Sequence, residues 1–486
     1  MQIVLRGAGA GYEAEHTARI FFPGAEKVPQ IPAEGDFVLA VSHDQTDFVL
    51  LRREGELHWR SALRQPGADA EYALCSLLYA LLRDRTGRRP PWGMMTGVRP
   101  VRIIHDLRAM GAGEQEIESR FLEHFTCTPE KFALARNIAD LQRPVLEAAA
   151  PMDCSVYAGI PFCPTRCSYC SFVSRTVGDK AIRALVQPYV DKLCEELTAI
   201  RRTADRCGLR IRTFYIGGGT PTSLSAAQLE QLMAYIAATF DLDALQEYTV
   251  EAGRPDCTDA EKLRIIKQYG ATRISINPQT FSDEVLRNIG RRHTAQDIRD
   301  CFAAARAAGH TNINMDLIAG LPGDTVEGFT HSLNEAIALD PENITVHTLT
   351  LKRASDLVVE HRAAEYDDVA AMLARCDRLV QAGYRPYYLY RQKGTLQNLE
   401  NIGWAKPGAE CLYNIYIMEE VHTILSAGAG GSTKLVIPGR RHSKIQRIFN
   451  FKYPNEYIQR FDEVLARKQG VEEFYERCTA QTICQQ

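Results

Sequence analysis

From Ser155 onward, short β-rich runs alternate with amphipathic helical stretches, and no other feature narrows the possible folds of this 486-residue chain so far. The runs are Ser155 to Ile160, Arg212 to Ile216, Tyr248 to Ala252, Arg273 to Asn277, Asn312 to Ile318 and Ile344 to Thr350. Helical patterns separate them at Ala181 to Arg202, Ala226 to Phe240, Asp259 to Tyr269, Ala295 to Ala308 and Val326 to Leu339. Such helices supply the crossovers that parallel strands require. The pattern predicts an α/β region and by itself permits a doubly wound sheet. A doubly wound sheet and a barrel alike place ligands beyond the carboxyl ends of the strands.

The loops at those ends hold the most distinctive residues. Cys163, Cys167 and Cys170 follow the first run in CxxxCxxC spacing, and Gly217-Gly218-Gly219-Thr220-Pro221 follows the second. Glu251 ends the third run, Gln279 follows the fourth and Asp316 ends the fifth. Three thiolates suit an iron-sulfur cube with one iron left for a small molecule, because such a cube ordinarily takes four. Two other readings compete. Structural zinc uses a second CxxC or CxxH pair, which is missing here; a redox pair of Cys167 and Cys170 has no need of Cys163. The three glycines let backbone donors approach a charged ligand. Neither they nor Gly7 to Gly11 nor Gly428 to Gly431 follow the GxxxxGK order of a nucleoside-triphosphate loop.

The motif YxxIPFC from Tyr157, the CxxxCxxC spacing, Phe214 to Pro221, Pro278-Gln279-Thr280-Phe281 and Asp316 to Gly323 together resemble the radical S-adenosylmethionine (SAM) superfamily. The finer resemblance is to the oxygen-independent coproporphyrinogen III oxidase (dehydrogenase) family. It covers about residues 155 to 435, and the long N-terminal extension is most similar to the HemZ-type branch. The resemblance implies an incomplete α/β barrel of six strands, with a 4Fe-4S cluster on Cys163, Cys167 and Cys170 and SAM at the open iron. By matching positions, Tyr157, Tyr169, Gly218 and Glu251 contact a first SAM, with Tyr169 stacked on adenine. Gly219, Thr220, Gln279, Arg291, Asp316 and Thr350 match contacts to a second SAM. Structural roles compete with these: packing for Tyr157, an ion pair with Arg254 for Glu251, a solvated helix end for Arg291 and a helix cap for Asp316.

The implied reaction begins when a deoxyadenosyl radical takes a β-hydrogen from a substrate propionate. The propionate then loses an electron and carbon dioxide and becomes a vinyl group; two are processed in haem biosynthesis. The implied partners are a small-molecule porphyrinogen and a reductant such as flavodoxin or ferredoxin. Substrate carboxylates need Arg or Lys, and Tyr384 to Lys393 and the group Arg440, Arg441, Lys444 and Arg447 are candidates. Trp404 to Gly408 resembles the family's C-terminal loop. Two positions depart from the bacterial enzymes: Phe172 stands where they carry another cysteine, and Gly159 where a histidine commonly precedes IPFC. The stretch Cys167 to Phe172 is instead similar to the family's haem-chaperone branch. A haem chaperone and a radical methyltransferase or haem-opening enzyme therefore stand as rival readings.

With 57 basic and 60 acidic residues, net charge -3, the chain has no bulk attraction for nucleic acid or anionic membrane. Fourteen cysteines behind a start without a long apolar segment predict free thiols and cytoplasmic residence. No apolar run approaches the roughly 20 residues that span a bilayer. Residues 1-150 read as an α+β domain, with strands at Phe37 to Ser42 and Asp47 to Arg52 and a helix from Glu71. Residues 151-355 read as the radical SAM core and 356-486 as a C-terminal substrate-side domain. The Pro- and Gly-punctuated stretch Arg88 to Pro100 is either a rigid connector or, through Trp92 and Arg99, a cover for the active site.

Overall fold

The computed structural model describes residues 1–7, 9–97, 99–352, 355–359, 366–439 and 445–483. Backbone contacts divide the chain into two compact units, Met1–Asn137 with Arg391–Glu400, and Ile138–Tyr390 with Asn401–Gln486. This differs from a division into three at 150 and 355. The segment after 355 forms no unit of its own, because its strands extend the sheet of the core.

The first unit contains a five-stranded sheet of β1 (Gln2–Arg6), β2 (Glu26–Lys27), β3 (Phe37–His43), β4 (Thr46–Arg53) and β5 (Glu56–Leu63), in the order β2-β1-β3-β4-β5. Alternation along the strands sends Ile3, Val38, Ala40, Val49 and Leu51 into one core with Ala18, Phe21, Leu74, Leu78 and Leu82 of two helices, Tyr12–Phe21 and Ala70–Thr86. Asp69 starts the second helix by accepting the amides of Glu71 and Tyr72, and Gly87, at φ +66°, ends it.

Trp92 is completely buried in this unit, its indole Nε1 donating to Glu400 Oε2 at 2.7 Å. Lys131 pairs with the same carboxylate. Arg391 donates to the carbonyls of Met95 (2.7 Å) and Gly97 (3.2 Å), with its guanidinium 5.5 Å from the indole centroid. A sealed indole anchors its own loop and cannot serve as a cover. Arg99 stands at the N-cap of the helix Pro100–Ala109. Arg391, read as a substrate cation, is spent on backbone carbonyls.

The second unit holds β6 (Asp153–Ile160), β7 (Phe162–Cys163), β8 (Arg175–Thr176), β9 (Arg210–Gly218), β10 (Glu247–Glu251), β11 (Arg273–Ser275), β12 (Ile313–Ala319) and β13 (Asn343–Thr348). It continues with β14 (Arg385–Arg391), β15 (Glu400–Ala405), β16 (Thr423–Ala427), β17 (Ser432–Leu435) and β18 (Gln446–Phe449). Apart from the small β7-β8 pair, they make one sheet in the order β14-β15-β13-β12-β11-β10-β9-β6-β16-β17-β18. The six expected parallel strands, β6 and β9 to β13, lie side by side in chain order. A doubly wound sheet reverses its order at a switch point. Here there is no reversal, right-handed crossovers keep the helices on one face, and the architecture is the incomplete barrel. The five expected helices are all present, with ends displaced by a few residues.

The two faces of the six strands differ in chemistry. One carries Val156, Phe214, Ile216, Tyr248, Val250, Ile274, Met315, Leu317, Ile344 and Val346, all buried. Tyr248 meets the helix Ala226–Thr239 through Met233 Sδ. The other carries Ser155, Tyr157, Thr213, Tyr215, Glu247, Glu251, Arg273, Ser275, Asn314, Asp316 and Thr345, cross-linked by Thr213 to Ser155 (2.7 Å), Asn314 to Ser275 (3.1 Å) and Thr345 to Asn314 (2.9 Å). Toward the start of the strands this face is covered by residues 411–413, with Leu412 N donating to Glu247 at 2.7 Å and Tyr413 stacking on Tyr215, which leaves the polar groups at the carboxyl ends as the candidate ligand wall.

Candidate functional site at the carboxyl ends of the strands

The cysteine loop leaves β6 and is pinned at its base by pairing of β7 with β8. Ser168 donates its amide to Ile289 O at 3.1 Å, and Cys170 N closes a turn onto Cys167 O at 3.0 Å. Cys163 and Cys167 are buried and Cys170 is partly buried. Burial pushes the thiol of Cys163 up, and that of Cys170 up to about 11. Thr220 Oγ1 donates to Cys163 Sγ at 3.5 Å.

Opposite the loop, the turn after β9 passes too close for side chains. A Cβ on Gly219 would stand 2.6 Å from Phe162 O and 2.9 Å from Cys163 Sγ, while Gly218 adopts φ +117° beside Ile160. Three thiols against a cradle that only glycine can line fit a thiolate-held cluster with a ligand beside it. Among the described residues, no three His, Cys, Asp or Glu side chains close around one point as a single ion requires.

Glu251, at the end of β10, is partly buried. Its carboxyl accepts the Tyr215 hydroxyl at 2.7 Å, so the ion pair with Arg254 is not formed; Arg254 forks onto Asp256 instead. Burial, reinforced by the charge of Asp316, lifts Glu251 to about 7 against the opposing hydrogen bonds of Tyr215 and the Gly218 amide and the charge of Arg273. Asp316 is partly buried, its side chain 19% exposed, which would push it up. Hydrogen bonds from His347 and Asn314, with the charges of His347 and Arg273, hold it below its usual range. Two inner-face carboxyls thus titrate apart, a pattern common at functional sites.

The sign of the Glu251 shift gives a prediction. A carboxyl raised by folding contributes fully below its unfolded pKa and loses that contribution as pH rises through its folded value. Wild-type apoprotein should therefore lose about 3 kcal/mol relative to Glu251→Gln between pH 4.5 and pH 8. Urea unfolding at several pH values measures it. A pH-independent difference between the two proteins would refute the assignment.

The remaining site residues assemble around the same rim. Gln279 follows β11 at φ +68°, an uncommon conformation for a side-chain-bearing residue, held by its amide to Asp316 O (2.8 Å) and by Ile318 N to its carbonyl (2.9 Å). Arg291 is buried and lies on no solvated helix end; it donates to Asn277 O at 2.6 Å and to the Tyr169 hydroxyl at 3.2 Å. Its Nε has no hydrogen-bond partner among the described residues. Asp316 sits in β12, accepts Asn314 Nδ2 at 2.7 Å and caps no helix. Thr220 is buried; Thr350, just past β13, turns its hydroxyl to Thr348 O at 3.3 Å. Tyr157 stacks with Tyr215 at 6.0 Å and Tyr413 at 6.4 Å, so packing is part of its role.

Sequence reading missed Tyr215 and His347, took Tyr390 only as part of the basic segment Tyr384 to Lys393, and weighed Arg254 only as an ion-pair partner of Glu251. Tyr215 shares the inner face with Gly217 by strand periodicity, a signal that was available. His347 lies 3.6 Å from Asp316 and meets the Tyr390 hydroxyl at 3.3 Å. In the candidate basic segment, Tyr387 and Tyr388 are buried in β14. Arg447 lies on β18, whereas Arg440, Arg441 and Lys444 fall outside the described residues.

The description "Radical SAM superfamily" matches residues 157–336, the strands and loops that build this rim. The oxygen-independent coproporphyrinogen-III oxidase-like protein HemZ of Bacillus subtilis is 35% identical over 495 aligned residues, covering 96% of each chain. The heme chaperone HemW of the same organism is 40% identical over 199 residues, 41% of this chain and 51% of that protein. Among solved structures, coproporphyrinogen III oxidase (HemN) from Escherichia coli shares the fold, with a TM-score of 0.50 and 24% identity over 67% of this chain and 72% of that one. The chain belongs to the radical SAM superfamily and, within it, to the oxygen-independent coproporphyrinogen III oxidase family that includes the HemZ proteins. Membership implies a 4Fe-4S cluster and SAM. No helix among the described residues is long and apolar enough to cross a membrane.

Proposed function

We propose that the chain holds a 4Fe-4S cluster on Cys163, Cys167 and Cys170, binds SAM along Gly217 to Thr220, and dehydrogenates coproporphyrinogen III without oxygen. The observation that carries the reading is the gathering of three thiols, a glycine cradle and two unlike carboxyls at one end of six parallel strands. Likeness to an oxidase-like relative over 96% of both chains supports the substrate class. When bound and reduced, by flavodoxin or ferredoxin for example, cluster and SAM together supply a deoxyadenosyl radical able to remove a propionate β-hydrogen.

The protein's part is positioning and charge. Gly219 leaves room beside Cys163, and Arg291 holds the Tyr169 ring by its hydroxyl. Asp316, kept ionised, suits a cationic ligand such as the ammonium of SAM. Glu251 near neutrality can accept from or donate to a ribose hydroxyl. Tyr157 walls the first SAM beside Gly218. We assign Gly219, Thr220, Gln279, Arg291, Asp316 and Thr350, on the same rim, to a second SAM.

One observation favours a rival reading: Phe172, in a stretch similar to the haem-chaperone branch, is 68% exposed beside Cys170. Anaerobic incubation with coproporphyrinogen III, dithionite and SAM separates the functions. The proposal expects deoxyadenosine, carbon dioxide and vinyl porphyrinogen. Stoichiometric haem binding without deoxyadenosine would instead establish a chaperone, and S-adenosylhomocysteine a methyl transfer.

A further inference from the structure

Arg254, just beyond β10, is only 4% exposed, and every hydrogen bond shown for it is internal. Its Nη1 lies 3.7 Å from Cys167 Sγ and 3.0 Å from Thr165 O, and its Nη2 donates to Thr165 Oγ1 at 2.8 Å. On the other side, Nε and Nη2 fork onto Asp256 at 3.0 and 2.7 Å. His293, its side chain wholly buried, stands behind that carboxylate at 3.7 Å. Thr165 passes the restraint on by donating to Gly290 O at 2.9 Å. One guanidinium thus ties the cysteine loop to the end of β10.

The three thiols do not share one environment. Cys163 meets a threonine hydroxyl and Cys170 the Phe172 amide, whereas Cys167 faces the guanidiniums of Arg254 and Arg291. Net charge and hydrogen bonds to sulfur are among the terms that set an iron-sulfur potential. Reduction adds a negative charge, and a fixed cation in a buried setting attracts it more strongly than the same cation would in water.

Resting on the cluster proposed above, we infer that Arg254 is a positioning residue that fixes the Cys167 corner and raises the cluster's reduction potential, with Asp256 orienting the fork. The electron comes from the external reductant; Arg254 neither gains nor loses one. The inference concerns the cluster itself and holds for a dehydrogenase or a chaperone.

The test is a potentiometric titration followed by electron paramagnetic resonance on anaerobically reconstituted full-length protein, without SAM or substrate. Arg254→Gln is expected to bind iron and sulfide as wild type does, but with its reduction equilibrium displaced about tenfold toward the oxidised form, about 59 mV lower for one electron. Arg254→Lys, which keeps the charge and loses the fork, is expected to shift less. A full cluster at the wild-type potential in Arg254→Gln overturns the inference. If that variant holds no iron, Arg254→Lys decides: retained iron with a smaller downward shift supports it, and the wild-type potential overturns it. A wild-type chain that takes up no cluster overturns the underlying reading as well, so the two failures are distinguishable.

Discussion

Cys167→Ala is expected to abolish the iron-sulfur chromophore and with it all reductive cleavage of SAM, while leaving the fold in place. The thiol lies on a loop whose course is set by backbone bonds and by Arg254, not by cysteine packing: Ser168 N to Ile289 O, and Arg254 to Thr165 O. Losing one of three thiolates leaves a cube with two open irons and no further cysteine of the motif to replace it. Removal of a small buried side chain costs the chain about 1–2 kcal/mol. The same substitution at Cys301, buried on the helix Ala295–Ala307, should leave iron and sulfide at wild-type levels. Metal analysis, visible absorption and deoxyadenosine release together check this. Full iron in Cys167→Ala, or zinc in purified wild type, would remove the basis for radical chemistry.

That prediction uses the part of the protein most legible in its sequence. Metal ligation demands particular atoms, so CxxxCxxC announces itself, and parallel strands buried against helices impose apolar alternation that marks β6 and β9 to β13 with little error. The flanking strands were harder to read. In Tyr384 to Lys393, charge alternating with tyrosine looks like a cationic pocket; the structure makes it β14, with Tyr387 and Tyr388 buried and Arg391 bonded to carbonyls 294 and 296 residues away. Pairing of β15 antiparallel to β13, and of β16 parallel to β6, depends on the route of the chain rather than on side-chain period.

The place of Arg254 beside Cys167 was hidden for a related reason, since sequence offered it only an ion pair with Glu251. Nothing in Gly253-Arg254-Pro255 distinguishes a solvated arginine from a buried one, and its partner Thr165 is 89 residues away. Gln279 carries no preference for a left-handed backbone, so its φ of +68° emerges only once β11 and β12 hold both its amide and its carbonyl. Sequence pattern locates elements and ligand sets; the buried polar bonds that orient them arise from tertiary approach.

The same distinction underlies the largest expected loss of stability. Glu196, on the helix Lys180–Arg206, is fully buried and accepts from Gly428 N (2.7 Å), Asn450 Nδ2 (2.7 Å) and the Tyr457 hydroxyl (2.6 Å), with Lys468 Nζ at 2.5 Å. It therefore gathers four groups contributed by residues 428 to 468 onto one carboxylate. Glu196→Ala would strand a buried ammonium, at a cost of about 3–5 kcal/mol. Lys468 also donates to Ser426 O at 3.0 Å, which keeps its charge in place when Glu196 is lost. Replacing both charges by apolar residues, Glu196→Leu with Lys468→Met, should recover much of that loss, because a buried ion pair is often no more stable than well-packed hydrophobic groups of similar volume. Chemical denaturation of wild type and the two variants measures the loss and its recovery. A single variant within 1 kcal/mol of wild type, or a double variant as unstable as the single, would show that this carboxylate does not anchor the segment against the barrel helix.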